Sequence, residues 1–399
     1  MRPISFSPPD IQKEDIEEVV TVLKSGWITT GPKTKAFEKE LAVYCGTHKA
    51  ICLNSATAGM ELILRALDIG PGDEVITSAY TYTASASVIC HVGAKPVLVD
   101  VAPNSYHLDI SKVEQAITSK TKAVIAVDIG GVMCDYDALF KVATNHQQKF
   151  VANSKLQQLI GRIAVIADAA HSLGADFNGK KSGAVADFSS FSFHAVKNLT
   201  TAEGGAVTWS SIKGIDDELI YKHFMELALH GQTKDALAKS KLGQWEYDIV
   251  TTGFKYNMPD ILAALGLSQL RRYEAILQQR EKLVSLYDQL LSDAHTSVLQ
   301  HHQENKHSSY HLYLVNLIGR AEKERNRVIE QMAERGIATN VHYKPLPMLS
   351  AYNRMGFHIK DYPNAYEMYK AEITLPLHTR LKEEDIIYIA HTLKTLLKQ

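Results

Sequence analysis

Short apolar runs punctuate the first half of the chain: Ala50–Asn54, Glu74–Thr77, Pro96–Asp100, Ala123–Asp128, Ile163–Ala167, Phe188–Phe193 and Ala206–Trp209. They are continuous rather than alternating, and stretches with helical spacing separate them. Strands that read as unbroken apolar runs between helices are covered on both faces, as in a parallel sheet. The expected fold class is therefore α/β, with a mostly parallel seven-stranded sheet in a large domain. Ile11–Lys24 places Ile16, Val19, Val20 and Leu23 on one stripe and predicts an amphipathic helix with Asp10 as its N-cap. Ala56–Leu67 predicts another, closed by the turn signal Asp68-Ile69-Gly70-Pro71-Gly72-Asp73.

Tyr136–Ala143 is also expected to be helical. Pro259–Leu291 reads as one long helical stretch leading out of the large domain. A strand at Tyr310–Leu317, a helix at Glu322–Arg335 and a closing helix at Glu383–Lys398 predict a smaller C-terminal α+β domain. The chain of 399 residues fits this division, drawn here as 1–265 and 266–399. Between them no internal repeat interrupts the pattern. Asn145–Arg162 is polar and longer than the usual helix-to-strand connection. It reads as a surface excursion, with contacts to substrate or to a second subunit as the alternative.

Composition narrows the function classes. Hydrophobic residues make up 45%, enough for a sizeable core. The formal net charge is −1 with both signs interspersed, which gives no footing for nucleic acid or a membrane surface. Met1–Asp10 has no apolar leader pattern, and no run approaches the ~18 apolar residues of a membrane span. A cytoplasmic protein is expected. Cys45, Cys52, Cys90 and Cys134 have no metal-like spacing; no metal site is expected, and free thiols fit better than disulfides.

The candidate chemistry lies at the ends of two of the runs. Asp168 follows Ile163–Ala167 and opens Asp168-Ala169-Ala170-His171. Lys197 follows the strand pattern Ser190-Phe191-Ser192-Phe193, shortly before Glu203-Gly204-Gly205. An acid ending one strand and a lysine beyond a later one is what pyridoxal phosphate (PLP) needs. The lysine forms a Schiff base with the aldehyde, and the carboxylate keeps a proton on the ring nitrogen, so that the ring can act as an electron sink. Asn54-Ser55-Ala56-Thr57-Ala58-Gly59 joins a strand to a helix through small residues. Its first amides and the Thr57 hydroxyl suit a phosphate; plain capping by Asn54 or Ser55 is compatible with that. No strand-linked Gly-x-Gly-x-x-Gly appears, which sets aside a nucleotide-binding oxidoreductase.

With these residues in view, the chain resembles the DegT/DnrJ/EryC1/StrS family of sugar aminotransferases. Four blocks carry the resemblance in the family's order: Ser25-Gly26-Trp27-Ile28-Thr29-Thr30-Gly31-Pro32-Lys33, Asn54–Met60, Asp168–Ala175 and the Lys197 segment. The resemblance implies aminotransferase fold type I, PLP as cofactor, and catalytic Lys197 and Asp168. Relatives that remove a hydroxyl carry histidine at the lysine position. It further implies Thr57, Ala58 and Ser192 at the phosphate, His171 near the ring or the carboxylate, and Tyr82 stacked on the ring, with Tyr80 as its register competitor. Gly253-Phe254-Lys255-Tyr256-Asn257 resembles the segment that reaches the phosphate of a second subunit, with Lys255 and Asn257 where relatives have asparagine and arginine. That implies a homodimer with shared active sites.

Trp27, Thr29, Thr30, His194, His342 and Tyr343 are the implied substrate contacts. In His342-Tyr343-Lys344-Pro345-Leu346-Pro347 the last residue replaces a histidine of the family pattern. Relatives also run shorter than Asn145–Arg162. The implied activity is amine transfer from L-glutamate to a nucleotide-linked keto-sugar for a surface glycan. The Gly26–Pro32 block most resembles members acting at C4 of UDP-4-keto-6-deoxy-hexoses. A C3 aminotransferase on a UDP- or dTDP-sugar and a non-catalytic PLP-binding regulator are the alternatives.

Overall fold

The computed structural model describes residues 3–239, 243 and 245–398. Each expected run forms a strand: β1 (Ala50–Leu53), β2 (Glu74–Ser78), β3 (Lys95–Val99), β4 (Thr121–Val127), β5 (Ala164–Asp168), β6 (Phe188–Ser192) and β7 (Gly205–Trp209). They build one sheet in the order β1-β7-β6-β5-β4-β2-β3. Neighbours from β6 to β3 pair in parallel, whereas β7 runs antiparallel to both β6 and β1. Residues along β5 alternate between two cores: Val165 and Ala167 join one cluster, Ala164 and Ile166 the other. Burial on both faces explains why the run is apolar without alternation. The register places Val127, Asp168 and Ser190 side by side at the C-terminal edge of β4, β5 and β6.

The helices correct several expectations. The first spans Lys13–Ser25, and the residue before it is Gln12, not Asp10. Its Ile16, Val20 and Leu23 stripe is exposed, and the buried residues are Asp15 and Val22. What fastens this helix is polar. The Asp15 carboxylate accepts from Ser268 Oγ (2.7 Å), Arg272 Nη2 (2.7 Å) and the Gln12 amide (2.9 Å). The stretch Pro259–Leu291 is two helices, Asp260–Arg271 and Tyr273–Leu291, because Arg272 leaves helical geometry. The second carries Tyr273, Ile276 and Leu277 into the core beside β5, and Leu283, Val284, Tyr287 and Leu291 into a separate cluster.

That separate cluster lies under a three-stranded antiparallel sheet of Thr296–Val298, Tyr313–Leu317 and Glu372–Leu375, with Tyr313–Leu317 central. The excursion before β5 contains a short helix, Lys155–Ile160. It is tied to the turn that follows the helix Ala56–Ala66: Gln157 Nε2 donates to Leu67 O (2.6 Å), and Asn153 Nδ2 to Asp73 (3.0 Å). Among the described residues no helix is long and apolar enough to cross a membrane.

Asp15 is fully buried and accepts from three donors, whereas Arg272 keeps a second carboxylate, Asp10, at 3.5 Å. Asp15→Ala is therefore expected to cost about 2 kcal/mol, the scale of hydrogen bonds to a charged group, read as a lower urea midpoint. Ser268→Ala, which deletes one neutral donor, should cost about 1 kcal/mol. Equal losses in the two variants would contradict the polar anchoring of the first helix.

Candidate active site

The carboxyl ends of β4, β5 and β6 and the loop after β2 open on one cavity of about 490 Å³. Ligands of open α/β sheets bind at this edge, where side chains leave the last strand residues. Asp168, the last residue of β5, is 5% exposed. Ser85 Oγ donates to one carboxylate oxygen at 2.7 Å and the Ala170 amide to the other at 3.3 Å. Thr81 Oγ1 holds Ser85 Oγ at 2.8 Å. Burial raises the pKa of Asp168, and Ser85, Ala170 and Lys197 oppose that rise.

Lys197 follows β6 through a tight turn in which its amide donates to His194 O (2.9 Å). Thr200 Oγ1 (3.1 Å) and the Thr201 amide (2.9 Å) both fix Phe193 O, which anchors the turn's base. The Lys197 side chain is half-buried along the cavity wall. Loss of water brings its pKa down to about 8, with Asp168 pulling the other way. A lysine so placed supplies neutral, nucleophilic amine near neutral pH.

The facing wall is the start of the helix Ala56–Ala66. Ser55 Oγ accepts from the Ala58 amide (3.1 Å), so Ala58 is committed to the cap, while Ala56 and Thr57 line the cavity. β7 passes directly beneath this start. A Cβ at Gly205 would lie 2.4 Å from Ala56 N, and one at Gly59 would lie 2.4 Å from Ser190 Oγ. Ser190 Oγ in turn donates to Ala56 O at 2.8 Å. The small residues therefore let a helix N-terminus, with its unpaired amides and positive dipole end, sit against the strand ends.

His171 does not touch the Asp168 carboxylate. Its Nδ1 accepts from the Gly130 amide at 3.2 Å, so the ring hydrogen sits on Nε2, 3.2 Å from Tyr343 Oη. Burial, then Lys197 and His342, hold its pKa well below the usual value, so it stays neutral. Tyr82 is 59% exposed at the rim, tilted against Tyr343 with centroids 5.8 Å apart. Tyr80 is buried and donates to His342 O (2.8 Å), so the register places Tyr82 and not Tyr80 on the cavity.

Of the residues expected from sequence, Thr57, Tyr82, Asp168, His171, Ser192, His194, Lys197 and Tyr343 line this one cavity. His342 stands beside it, its ring stacked on Phe6 with centroids 5.6 Å apart. Trp27, Thr29, Thr30 and Asn257 form a different group. Asn257 Nδ2 donates to Thr30 Oγ1 (2.6 Å), Trp27 Nε1 to Thr30 O (3.3 Å), and Thr29 O accepts from Asp260 (3.2 Å). Lys255 is exposed. The sequence reading missed Ser85, Thr81, Gly130 and Glu203, whose carboxylate lies 3.6 Å from His194 Nε2. Thr81 precedes the helix Ala84–His91 and Ser85 lies in its first turn, so no helical spacing marks the pair.

The residues fit PLP by their chemistry. The cavity offers a ring-sized space, a buried carboxylate, an amine of lowered basicity, a rim tyrosine and a helix start suited to phosphate.

Comparison with known proteins agrees. Residues 9–394 match the model of the DegT/DnrJ/EryC1/StrS aminotransferase family. The spore coat polysaccharide biosynthesis protein SpsC of Bacillus subtilis is 36% identical over 399 residues, covering 99% of this chain and 97% of that protein. The Streptococcus pneumoniae protein Spr1654, designated a sugar aminotransferase and solved in its PMP form, is 54% identical with a TM-score of 0.97, covering 99% of each chain. Its PLP form superposes with a TM-score of 0.96. PseC of Helicobacter pylori, an aminotransferase involved in the biosynthesis of pseudoaminic acid, is 29% identical with a TM-score of 0.86, covering 100% of each chain.

The lowered basicity of Lys197 is open to direct measurement on cofactor-free protein. Trace acylation, read by mass spectrometry against pH, should titrate at Lys197 with a midpoint near 8. The Asp168 carboxylate favours the ammonium, so Asp168→Asn should move that midpoint lower. A Lys197 midpoint level with the surface lysines would contradict the desolvated site.

Proposed function

The chain belongs to the DegT/DnrJ/EryC1/StrS aminotransferase family and is a PLP-dependent sugar aminotransferase, and we propose that it moves an amino group from L-glutamate to C4 of a UDP-linked 4-keto-6-deoxy-hexose. The observation that carries this reading is the pairing, in one cavity, of a lysine amine weakened by burial with a buried, hydrogen-bonded carboxylate. The bound cofactor supplies an aldehyde and an electron-withdrawing ring. Asp168, steadied by Ser85 and the Ala170 amide, holds a proton at the ring nitrogen. Lys197 Nζ accepts a proton from the carbon that bears the donor amine and, in the reverse direction, delivers one to the carbonyl carbon of the sugar. Thr57, Ser192 and the first helix amides hold the phosphate, and Tyr82 covers the ring.

The Gly26–Pro32 block supports C4 as the position, and the likeness to SpsC supports a surface polysaccharide as the destination. The reaction belongs in the cytoplasm, where sugar nucleotides are made. Lys255 and Asn257 lie away from the cavity of their own chain. That supports a homodimer in which they reach the phosphate of the second copy, with Lys255 as the cation. Trp27, Thr29, Thr30, His194, His342 and Tyr343 are assigned to the sugar nucleotide.

An absorption scan of the purified protein tests the reading. Its visible cofactor band should fade with L-glutamate and return on adding the UDP-4-keto-sugar, with an aminated product in the mass spectrum. Return only with a 3-keto-sugar would place the chemistry at C3 instead, and a band indifferent to glutamate would refute the donor. Lys197→Ala should lower turnover on the order of 10⁴-fold, the upper range for a lost acid–base group.

A further inference from the structure

Behind His342 lies a buried relay of three side chains. The strand Glu372–Leu375 runs antiparallel to the segment before His342, and Asn340 and Thr374 exchange both backbone bonds (3.1 and 2.8 Å). That register sets His342 against Glu372. The His342 amide then finds a side chain rather than a backbone carbonyl: it donates to Glu372 Oε2 at 2.9 Å. The Thr374 hydroxyl meets Oε1 of the same carboxyl, and His342 Nδ1 lies 2.9 Å from Thr374 Oγ1. Glu372 and Thr374 are both 0% exposed.

A hydroxyl has one hydrogen, so a carboxyl–hydroxyl–imidazole chain must order its hydrogens in one direction or the other. With Glu372 ionised, Thr374 donates to Oε1. Its oxygen must then accept from His342 Nδ1–H, and His342 Nε2 is a bare acceptor. With Glu372 protonated, Oε2 is already taken by the backbone N–H, so the hydrogen sits on Oε1. Thr374 then accepts from Glu372 and donates to Nδ1, and Nε2 carries the ring hydrogen. The change takes up one proton at Nε2. The Nδ1 hydrogen passes to Thr374 Oγ1, and the former Thr374 hydrogen to Oε1.

We propose that Glu372 and Thr374 are positioning residues that decide, through this relay, which nitrogen of His342 carries its hydrogen, and so whether His342 offers the sugar a donor or an acceptor. This rests on the reading of His342 as a substrate contact of the aminotransferase. Both orders are reached in the working pH range. Burial raises Glu372 to about 8, against the lowering effects of Thr374, the His342 amide and Arg325. Arg325 Nη1 also holds Glu372 O at 2.7 Å. Tyr80, Tyr106 and Tyr343 face the carboxyl as neutral phenols, their own ionisation opposed first by burial and then by Glu372 among other groups. Lys197 is the charge facing His342, and burial brings that imidazole down to about 3, so it does not hold two hydrogens.

The test is ¹⁵N NMR of histidine-labelled holoenzyme, with the His342 signals identified by their loss in His342→Gln. Wild type should pass from the Nε2–H form near pH 6.5 to the Nδ1–H form near pH 9, with a midpoint close to 8. In Glu372→Gln the amide donates to Thr374 at every pH, so the Nε2–H form should persist throughout. One tautomer across the range in wild type, or a switch that survives in Glu372→Gln, would overturn the proposal. If that variant does not fold, Thr374→Val must abolish the switch and Thr374→Ser must keep it. The wild-type KM for the sugar should change roughly fivefold across the switch, the scale of one hydrogen bond, and that change should be absent from Glu372→Gln. A tautomer switch with no sugar turnover would instead count against the sugar-aminotransferase reading and leave the relay standing.

Discussion

Taking a carboxylate and an amine out of water at the same sheet edge is the constraint on which the rest of the site depends. Either charge alone in that cavity would be costly. The fold meets the cost on the Asp168 side with two fixed donors, Ser85 Oγ and the Ala170 amide. On the Lys197 side it lets the charge weaken, and the amine falls to about 8. The opposite environments follow from where each residue stands. Asp168 ends a central strand with neighbours on both sides. Lys197 follows a turn that projects it along the wall.

Close backbone approach is the second requirement. The helix Ala56–Ala66 reaches the strand ends only because Gly205 and Gly59 lack a Cβ at the contact. A Cβ at either would collide at 2.4 Å, with backbone Ala56 N at Gly205 and with Ser190 Oγ at Gly59. Behind β4, the Asp128 carboxylate takes up the Cys134 amide, Tyr136 Oη and Ser172 Oγ. That fixes the loop whose Gly130 amide sets the tautomer of His171. Buried polar groups here act as spacers: each satisfied donor fixes a backbone segment against another.

This arrangement explains what could be read from the chain. The strand runs, and the placement of Asp168, Lys197, Ser192 and Thr57 along one cavity, were legible because local order alone puts a residue after a strand into the crevice. The Ile16, Val20 and Leu23 stripe misled because periodicity reports an apolar face, not what covers it. The helix is held on another face by Asp15. The break at Arg272 was hidden because good helix formers flank it on both sides. Ser85, Gly130 and Glu372 act through contacts to residues far along the chain, and no local spacing marks such partners. Trp27, Lys255 and Asn257 were named by resemblance, yet in their own chain Trp27 and Asn257 gather around Thr30, Lys255 is exposed, and none of the three lines the cavity.

The histidines complete the electrostatic argument. His171, His311 and His342 cluster beside Lys197, and a reader of the sequence would give them the pH response near neutrality. Burial is the largest influence on each, and it lowers all three. Lys197 lowers them further, so none gains a second hydrogen in the working range. Their value to the site is then directional, since a neutral imidazole has one donor and one acceptor, and a neighbour chooses which is which. Gly130 makes that choice for His171 through a fixed amide that cannot change. For His342 the neighbour is Thr374, whose own orientation depends on Glu372. Sensitivity to pH is thereby moved off the imidazoles and onto two groups that burial shifts toward about 8 from opposite sides, an amine lowered and a carboxyl raised. Raising the pH frees the Lys197 amine and ionises Glu372 together, so the charge of Lys197 and the proposed hydrogen-bond sense of His342 change in the same interval.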